Sequence, residues 1–321
     1  MDTISGIFKG SRVGWLISLI LLALLATLPF YGSAYTIILL TAIIMYIIIT
    51  VSWTMFSGPT GYISLAPAAF FGVGIYTMAE LGGKLPLLSV VIAGGLISFI
   101  IALIVGAITL RLRGIYSAIF TFGLVELIKH LLLFWEITVT GTRGRFVVLE
   151  ENTTIFWVML GIFVVLMLTY YFIRRSKYGA ALQSIGENEE AAAHIGINVT
   201  LLKIITFAVS AFFMGAAGAI MATRWTYVDP YVAFNVLFSF LPVLMAIFGD
   251  MSQLYGPVIG AVIFAYLEEI LLTRFPEYFM LTFGIILVLF ILYLPDGLVG
   301  VVPRLVRRWR KGGQVGQHAD T

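Results

Sequence analysis

Residues 85–110 read LPLLSVVIAGGLISFIIALIVGAITL, a stretch without one charged side chain, bounded by Lys84 and Arg111. As a helix, about 20 such residues cross the roughly 30 Å hydrocarbon core of a bilayer. Nine similar runs flank it: Val13–Tyr31, Tyr35–Phe56, Gly61–Leu81, Ile115–Trp135, Thr154–Ile173, Leu201–Ala222, Ala233–Gly249, Tyr255–Thr273 and Tyr278–Leu294. The whole chain agrees. It is 61% hydrophobic and 11% charged, against about 45–50% and 25% in a soluble domain, and its mean hydropathy is +1.06. These values set aside soluble, disordered, collagen-like and nucleic-acid-binding chains. The sequence therefore predicts an all-α, polytopic membrane protein seated in the lipid bilayer, with about 8–10 transmembrane helices.

Two of the spans are weak. Gly61–Leu81 is rich in Gly, Ala and Pro, and Ile115–Trp135 carries Glu126, Lys129 and His130, so either could be broken or re-entrant. The first span, preceded by Lys9 and Arg12, is longer than the h-region of a signal peptide and is followed by no small-residue cleavage pattern, so it reads as a retained helix. Orientation follows from lysine and arginine in the short loops. With the N-terminus inside, thirteen basic residues fall inside: Lys9, Arg12, Arg111, Arg113, Arg174, Arg175, Lys177, Lys203, Arg304, Arg307, Arg308, Arg310 and Lys311. Five fall outside: Lys84, Arg143, Arg145, Arg224 and Arg274. Both termini are thus expected in the cytoplasm. The domain reading is a cytoplasmic N-terminus 1–12, a transmembrane domain 13–295 containing a cytoplasmic loop 174–200, and a basic cytoplasmic tail 296–321. The membrane side of the basic residues explains the pI near 9.0 without an anionic partner.

Glycines at Gly72–Gly74, Gly94–Gly95, Gly106 and Gly215–Gly218 lie inside spans, where small residues let helix backbones approach. Motifs for chemistry are missing. There is no G-x-x-x-x-G-K-[ST] phosphate loop, no H-E-x-x-H helix and no nucleophile elbow. With no cysteine there is no disulfide framework, thiolate site or cysteine nucleophile, and His130, His194 and His318 are far apart. No catalytic residue, metal site or cofactor is expected in this chain, which reads as no enzyme. Energy for uphill transport would come from a partner or an ion gradient.

The loop from Arg174 to Thr200 carries local structure of its own. Ser184 and Glu187 have the spacing of a capping box, three glutamates suit a helix start, and Gly196 suits a C-cap. One short helix is expected over about Ile185–Ile195. Lying outside the bilayer with an alanine face, it reads either as a solvated connector or as a helix that docks into a partner's groove.

This loop and the span after it resemble the LivM-type permeases of branched-chain amino-acid ABC importers. The resemblance rests on Ser176, Gly179, Glu187, Asn188, Glu189, Ala191, Ala192, Gly196, Ile197 and Asn198. It continues through Lys203, Phe207, Ala208, Ser210, Ala211, Gly215 and Gly218. Ala180 and Gly186 depart from arginines usual in the family. Gly58–Tyr76, Arg111–Gly123 and Gly249–Pro257 are similar to further family segments, with Tyr62 in place of the usual glutamine, Ala66 in place of a glycine and Pro67 in place of a polar residue. Asp250 and Ser252 replace glycines. The resemblance implies a plasma (inner) membrane permease for branched-chain or other hydrophobic amino acids. It implies two ABC ATPase subunits that use ATP and Mg, a sister permease subunit and an extracytoplasmic solute-binding protein. The ATPase-coupling residues it implies are Ser176, Gly179, Glu187, Asn188, Glu189, Ala191, Ala192 and Gly196.

Pathway candidates come from polar groups within spans, which are costly in lipid and face protein or water. They are Tyr62, Ser64, Thr121, Glu126 and Lys129. Glu126, Lys129 and His130 share a helix face, as a neutralised pair or as a lining that recognises a zwitterion. Glu268 and Glu269 are expected to snorkel or to meet Arg274, and Asp250 to cap the next segment. The alternative reading is an ion-coupled carrier, with Glu126 as its midplane carboxylate, or a passive channel for a small amphipathic solute such as urea or a short amide.

Overall fold

The computed structural model describes residues 22–110 and 114–278, and residues 281, 282, 284, 285 and 288. The helices are α1 (Ala34–Thr60), α2 (Pro67–Leu81), α3 (Leu87–Thr109), α4 (Ile115–Trp135, continued by a π-helical turn Glu136–Thr140) and α5 (Asn152–Arg175). They continue as α6 (Lys177–Glu187), α7 (Glu189–His194), α8 (Val199–Ala222), α9 (Pro230–Ala233), α10 (Leu237–Gly249) and α11 (Gly256–Arg274). Among the described residues, seven helical stretches are long and apolar enough to cross a bilayer. The chain is an all-α polytopic membrane protein. Residues 1–21, Arg111–Arg113, most of 278–294, and 295–321 with the basic tail lie outside the described residues, and with them about half of the first expected span and most of the tenth.

Lipid is as apolar as leucine, so large side chains gain nothing by turning inward and packing favours small ones. α3 shows the result. Leu88, Ile92, Leu96, Ile100, Ile104 and Ile108 recur every fourth residue and are exposed, while Gly94, Gly95, Ser98, Ala102 and Gly106 are buried. That small face lies against α8, which also packs on α2 and α1 and forms the centre of the bundle. At the tightest crossing a Cβ on Gly215 would overlap Ser98 and the Gly94 carbonyl of α3, and one on Gly218 would overlap the Phe71 carbonyl of α2. Phe207 of α8 fills the layer beside this crossing, with ring centroids 5.1 Å from Phe56 and 5.3 Å from Phe70.

The expected span Gly61–Leu81 is not one helix. Residues 61–66 are non-helical, and α2 begins only at Pro67, whose missing N–H costs nothing at a helix start. Likewise Ala233–Gly249 divides into the short α9 and α10, joined through Phe234–Val236. At the α2 C-terminal end, Glu136 is fully buried. It accepts from the Tyr76 hydroxyl (3.2 Å) and the Gly144 N–H (2.9 Å). Beside it Arg145 pairs with Glu80 (2.7 Å), Arg143 pairs with Asp229 (2.9 Å), and β1 (Arg145–Phe146) pairs antiparallel with β2 (Tyr227–Val228). Basic residues assigned to opposite membrane sides thus gather at opposite ends of α8: Arg143, Arg145 and Arg224 at one, Arg174 and Lys203 at the other. The contact partners of Glu268 and Glu269 differ from expectation. Tyr46 and Tyr35 of α1 donate to them, each at 3.1 Å, because α1 rather than the end of α11 lies beside them.

The packing predicts that Gly215→Val destabilises the protein by about 1–3 kcal/mol, the usual cost of overpacking. Gly161→Ala, at a site with no neighbour within 4 Å, leaves stability near wild type. Thermal unfolding of the purified protein in detergent, followed by size-exclusion chromatography, compares the two.

Candidate functional site

The break between α1 and α2 sets the site. Gly61 ends α1 in the left-handed conformation (φ 70°) and donates its N–H to Ser57 O (3.0 Å). From there the chain turns back along α1, so that the Ser64 carbonyl accepts from Trp53 Nε1 at 2.7 Å. Trp53 lies seven residues before the end of α1, and at about 1.5 Å per residue the break reaches about 10 Å along that helix. A buried backbone group outside a helix needs another partner. The Leu65 N–H donates to Thr121 Oγ1 of α4 (2.9 Å) and the Ala66 N–H to Ser64 Oγ (3.3 Å). Ser239 of α10 does two jobs: its hydroxyl donates to Leu65 O (2.8 Å) and accepts from the Ala68 N–H (3.1 Å).

The structure therefore brings together two sequence-predicted residues, Ser64 and Thr121, with Trp53 and Ser239, which sequence reasoning missed. All four are buried. A signal for the break was present in Gly61 and Pro67, but nothing in the sequence pointed to a serine 175 residues beyond Ser64. A cavity of about 10 Å³ borders Trp53, Ser64 and Pro67, room for about one water molecule.

Glu126 and Lys129 are elsewhere on α4. Lys129 Nζ lies 2.6 Å from the Glu126 carboxylate and 5.5 Å from the centre of the Tyr231 ring, while His130 Nε2 is 3.6 Å from Glu126. The pair is mutually neutralised. Tyr62, expected on the pathway, faces the loop end: its hydroxyl donates to Glu189 Oε2 (2.5 Å) and accepts from Lys203 Nζ (3.1 Å).

The loop itself differs from the single helix expected over Ile185–Ile195. Ser176 Oγ accepts from the Tyr178 and Gly179 N–H groups (3.2 and 3.4 Å) and starts α6 early. Ser184 is consequently inside α6, its hydroxyl bonded to Ala180 O (3.1 Å), and Ser184 and Glu187 form no capping box. Asn188, extended at φ −157°, breaks the helix, and its side-chain oxygen caps α7 through the Glu190 and Ala191 N–H groups (3.1 and 3.0 Å). Gly196 (φ 89°) ends α7 as expected, with Ile197 N–H bonded to Ala192 O (3.2 Å) in a Schellman turn. Ala192 is buried with Ile185 and Val199, whereas Glu187, Ala191 and Ala193 are exposed. Gly179 beds against the Ile173 carbonyl, and Gly186 against Pro59 O, where a side chain has no room. Asp250, at φ 70°, caps the turn before α11 by accepting from the Ser252 N–H (2.9 Å).

Residues 35–291 match the family model described as branched-chain amino acid transport system / permease component. The chain belongs to that family. It is 27% identical over 313 residues to the high-affinity branched-chain amino acid transport system permease protein LivM of Salmonella typhimurium, a match covering 87% of this chain and 73% of the relative. The LivM protein of Escherichia coli K12 is also 27% identical, over 347 residues, 97% of this chain and 80% of the relative. LivH of Escherichia coli K12 is 25% identical over 150 residues, 46% of each chain. No solved structure matches. In this chain the break after α1 and the two-helix elbow α6–α7 meet at Tyr62.

Ser239→Ala removes the partner of both Leu65 O and Ala68 N–H, and each buried group left unpaired costs about 1–3 kcal/mol. The expected outcome is a lowered unfolding midpoint and faster hydrogen exchange at residues 63–68, read by mass spectrometry. Ser184→Ala, within α6, leaves both unchanged.

Proposed function

We propose that this chain is the membrane-spanning permease subunit of an ATP-binding-cassette importer, passing branched-chain or other hydrophobic amino acids through the plasma (inner) membrane. In this reading a solute-binding protein delivers the amino acid. A sister permease completes the pathway, and two ATPase subunits bind ATP and Mg. This chain supplies no catalytic group. Its own residues bind the partner, hold the pathway closed and move when the partner moves.

The observation that carries the reading is the α6–α7 elbow. Both of its helices have side-chain N-caps, from Ser176 and Asn188. Such an element is rigid without the bilayer, because each cap satisfies N–H groups left over at a helix start. It presents Glu187, Ala191 and Ala193 outward, a small-residue surface on which a groove can close. Ala192, Ile185 and Val199 bury its other side against the start of α8, so force on the elbow reaches the central helix. A gradient-coupled carrier would need a midspan carboxylate free to exchange a proton, and Glu126 is held by Lys129 at 2.6 Å.

Gentle purification of the tagged protein from its native membrane, with companions identified by mass spectrometry, tests the assembly. Two P-loop ATPases and a second permease are expected. The chain alone, in an assembly shown to be intact and competent in transport, overturns the reading. Ala191→Trp should cut ATP-driven leucine uptake into proteoliposomes by about tenfold or more, as loss of about 1.4 kcal/mol or more of docking energy would, while the protein still inserts.

A further inference from the structure

We propose that Tyr62, Glu189 and Lys203 form a tie through which displacement of the α6–α7 elbow is carried into the broken span, so that Tyr62 and Lys203 are positioning residues for transport. The tie stands on geometry alone; its consequence for transport rests on the permease reading above.

Lys203, in the first turn of α8, is 2% exposed. Its ammonium donates to three separate parts of the fold: Leu110 O just beyond α3 (3.0 Å), the Tyr62 hydroxyl in the break (3.1 Å) and Glu189 Oε1 at the start of α7 (2.9 Å). The Tyr62 hydroxyl in turn donates to Glu189 Oε2 at 2.5 Å, closing a triangle, and the Tyr62 ring covers the ammonium at 4.3 Å. Charge-assisted bonds of this kind are stronger than neutral ones. Removing one partner from a buried charge is costly, because the charge left behind has lost its compensation. The three groups therefore move together or separate at high cost.

What lies on each side of the triangle gives it direction. Glu189 opens a six-residue helix joined to α6 at the extended Asn188 and to α8 through the left-handed Gly196, two points where the backbone leaves helical geometry. Beneath α6, a cavity of about 420 Å³ bordered by Gly58, Pro59, Arg174 and Ser252 leaves the elbow room to shift. On the other side Tyr62 begins the short non-helical segment that leads to Leu65, three residues further along the chain. At Leu65 a pull on Tyr62 meets the bonds to Thr121 and Ser239, the contacts that hold α2 to α4 and α10. Movement of α7 is thus delivered to the buried cluster of Trp53, Ser64, Thr121 and Ser239.

Hydrogen–deuterium exchange on the full chain in lipid nanodiscs tests the tie without any partner. Glu189→Gln, made on α7, should raise the exchange rate of residues 61–66 by about threefold or more, an opening energy change well within the range of local unfolding. Tyr62→Phe should do the same, and the double variant should be no faster than the faster single one, as for groups acting as one unit. Exchange at residues 142–150, at the far end, stays unchanged and shows that the fold is intact. Unaltered exchange at 61–66 in Glu189→Gln, or fully additive effects, overturns the proposal. In the reconstituted transporter Tyr62→Phe should lower the solute delivered per ATP hydrolysed, a ratio that a purely structural neutralisation of Lys203 would leave alone; an unchanged ratio overturns the transport role. Failure of the permease reading shows differently, as a wild-type assembly without ATP-driven uptake, and the exchange measurement then still decides the tie.

Discussion

A buried peptide group outside a helix must find its hydrogen-bond partner elsewhere, and residues 64–66 place such groups about 10 Å along α1 with no helix to serve them. Everything near the centre of this protein is arranged around that requirement. Trp53, Thr121 and Ser239 come from three different helices, α1, α4 and α10, and each gives its polar atom to the backbone of the break. Those bonds fix how the three helices sit around α2. A span that could have been a plain helix is instead a joint, stable only while its neighbours stay in place.

The joint is possible because α8 packs so closely. Gly215 and Gly218 bring its backbone against α3 and α2 without side chains between them, so the small inner faces meet and the large apolar residues of α3 point outward. In lipid this inversion is the favourable arrangement, since close van der Waals contact and polar bonds replace the hydrophobic drive of a soluble core. The same helix starts at Val199, beside the elbow, and ends near Thr223, whose carbonyl accepts from the Glu150 N–H. One rigid element thus joins the two ends of the bundle.

Polar residues in this chain divide by what they touch. Glu126 with Lys129 is settled within α4, and Glu136 with Tyr76 and Arg145 joins the end of α4 to α2 and β1. Tyr62, Glu189 and Lys203 differ because their bonds run between a capped loop element, an unwound backbone segment and the start of α8. Side-chain chemistry is similar in both groups; the mechanical setting is not.

Span positions were legible in the sequence, because crossing a bilayer is a property of local hydrophobicity summed over about 20 residues. The all-α class, the small-residue packing faces at Gly94–Gly95 and Gly215–Gly218, and the end of α7 at Gly196 followed from local chemistry in the same way. The weakness of Gly61–Leu81 was visible too, in its glycines and Pro67. The elbow was misread where two local signals competed: Ser184 and Glu187 had the spacing of a cap, yet Ser176 had already started the helix and Asn188 ended it. Tertiary structure alone decided that Ser239 serves the Leu65 carbonyl, that Trp53 meets Ser64, and that Tyr62 turns to Glu189 and Lys203. The reason is physical. Local sequence sets where a backbone must leave the helix, but the atom that satisfies it belongs to whichever helix packs alongside, and that is settled only when the bundle closes.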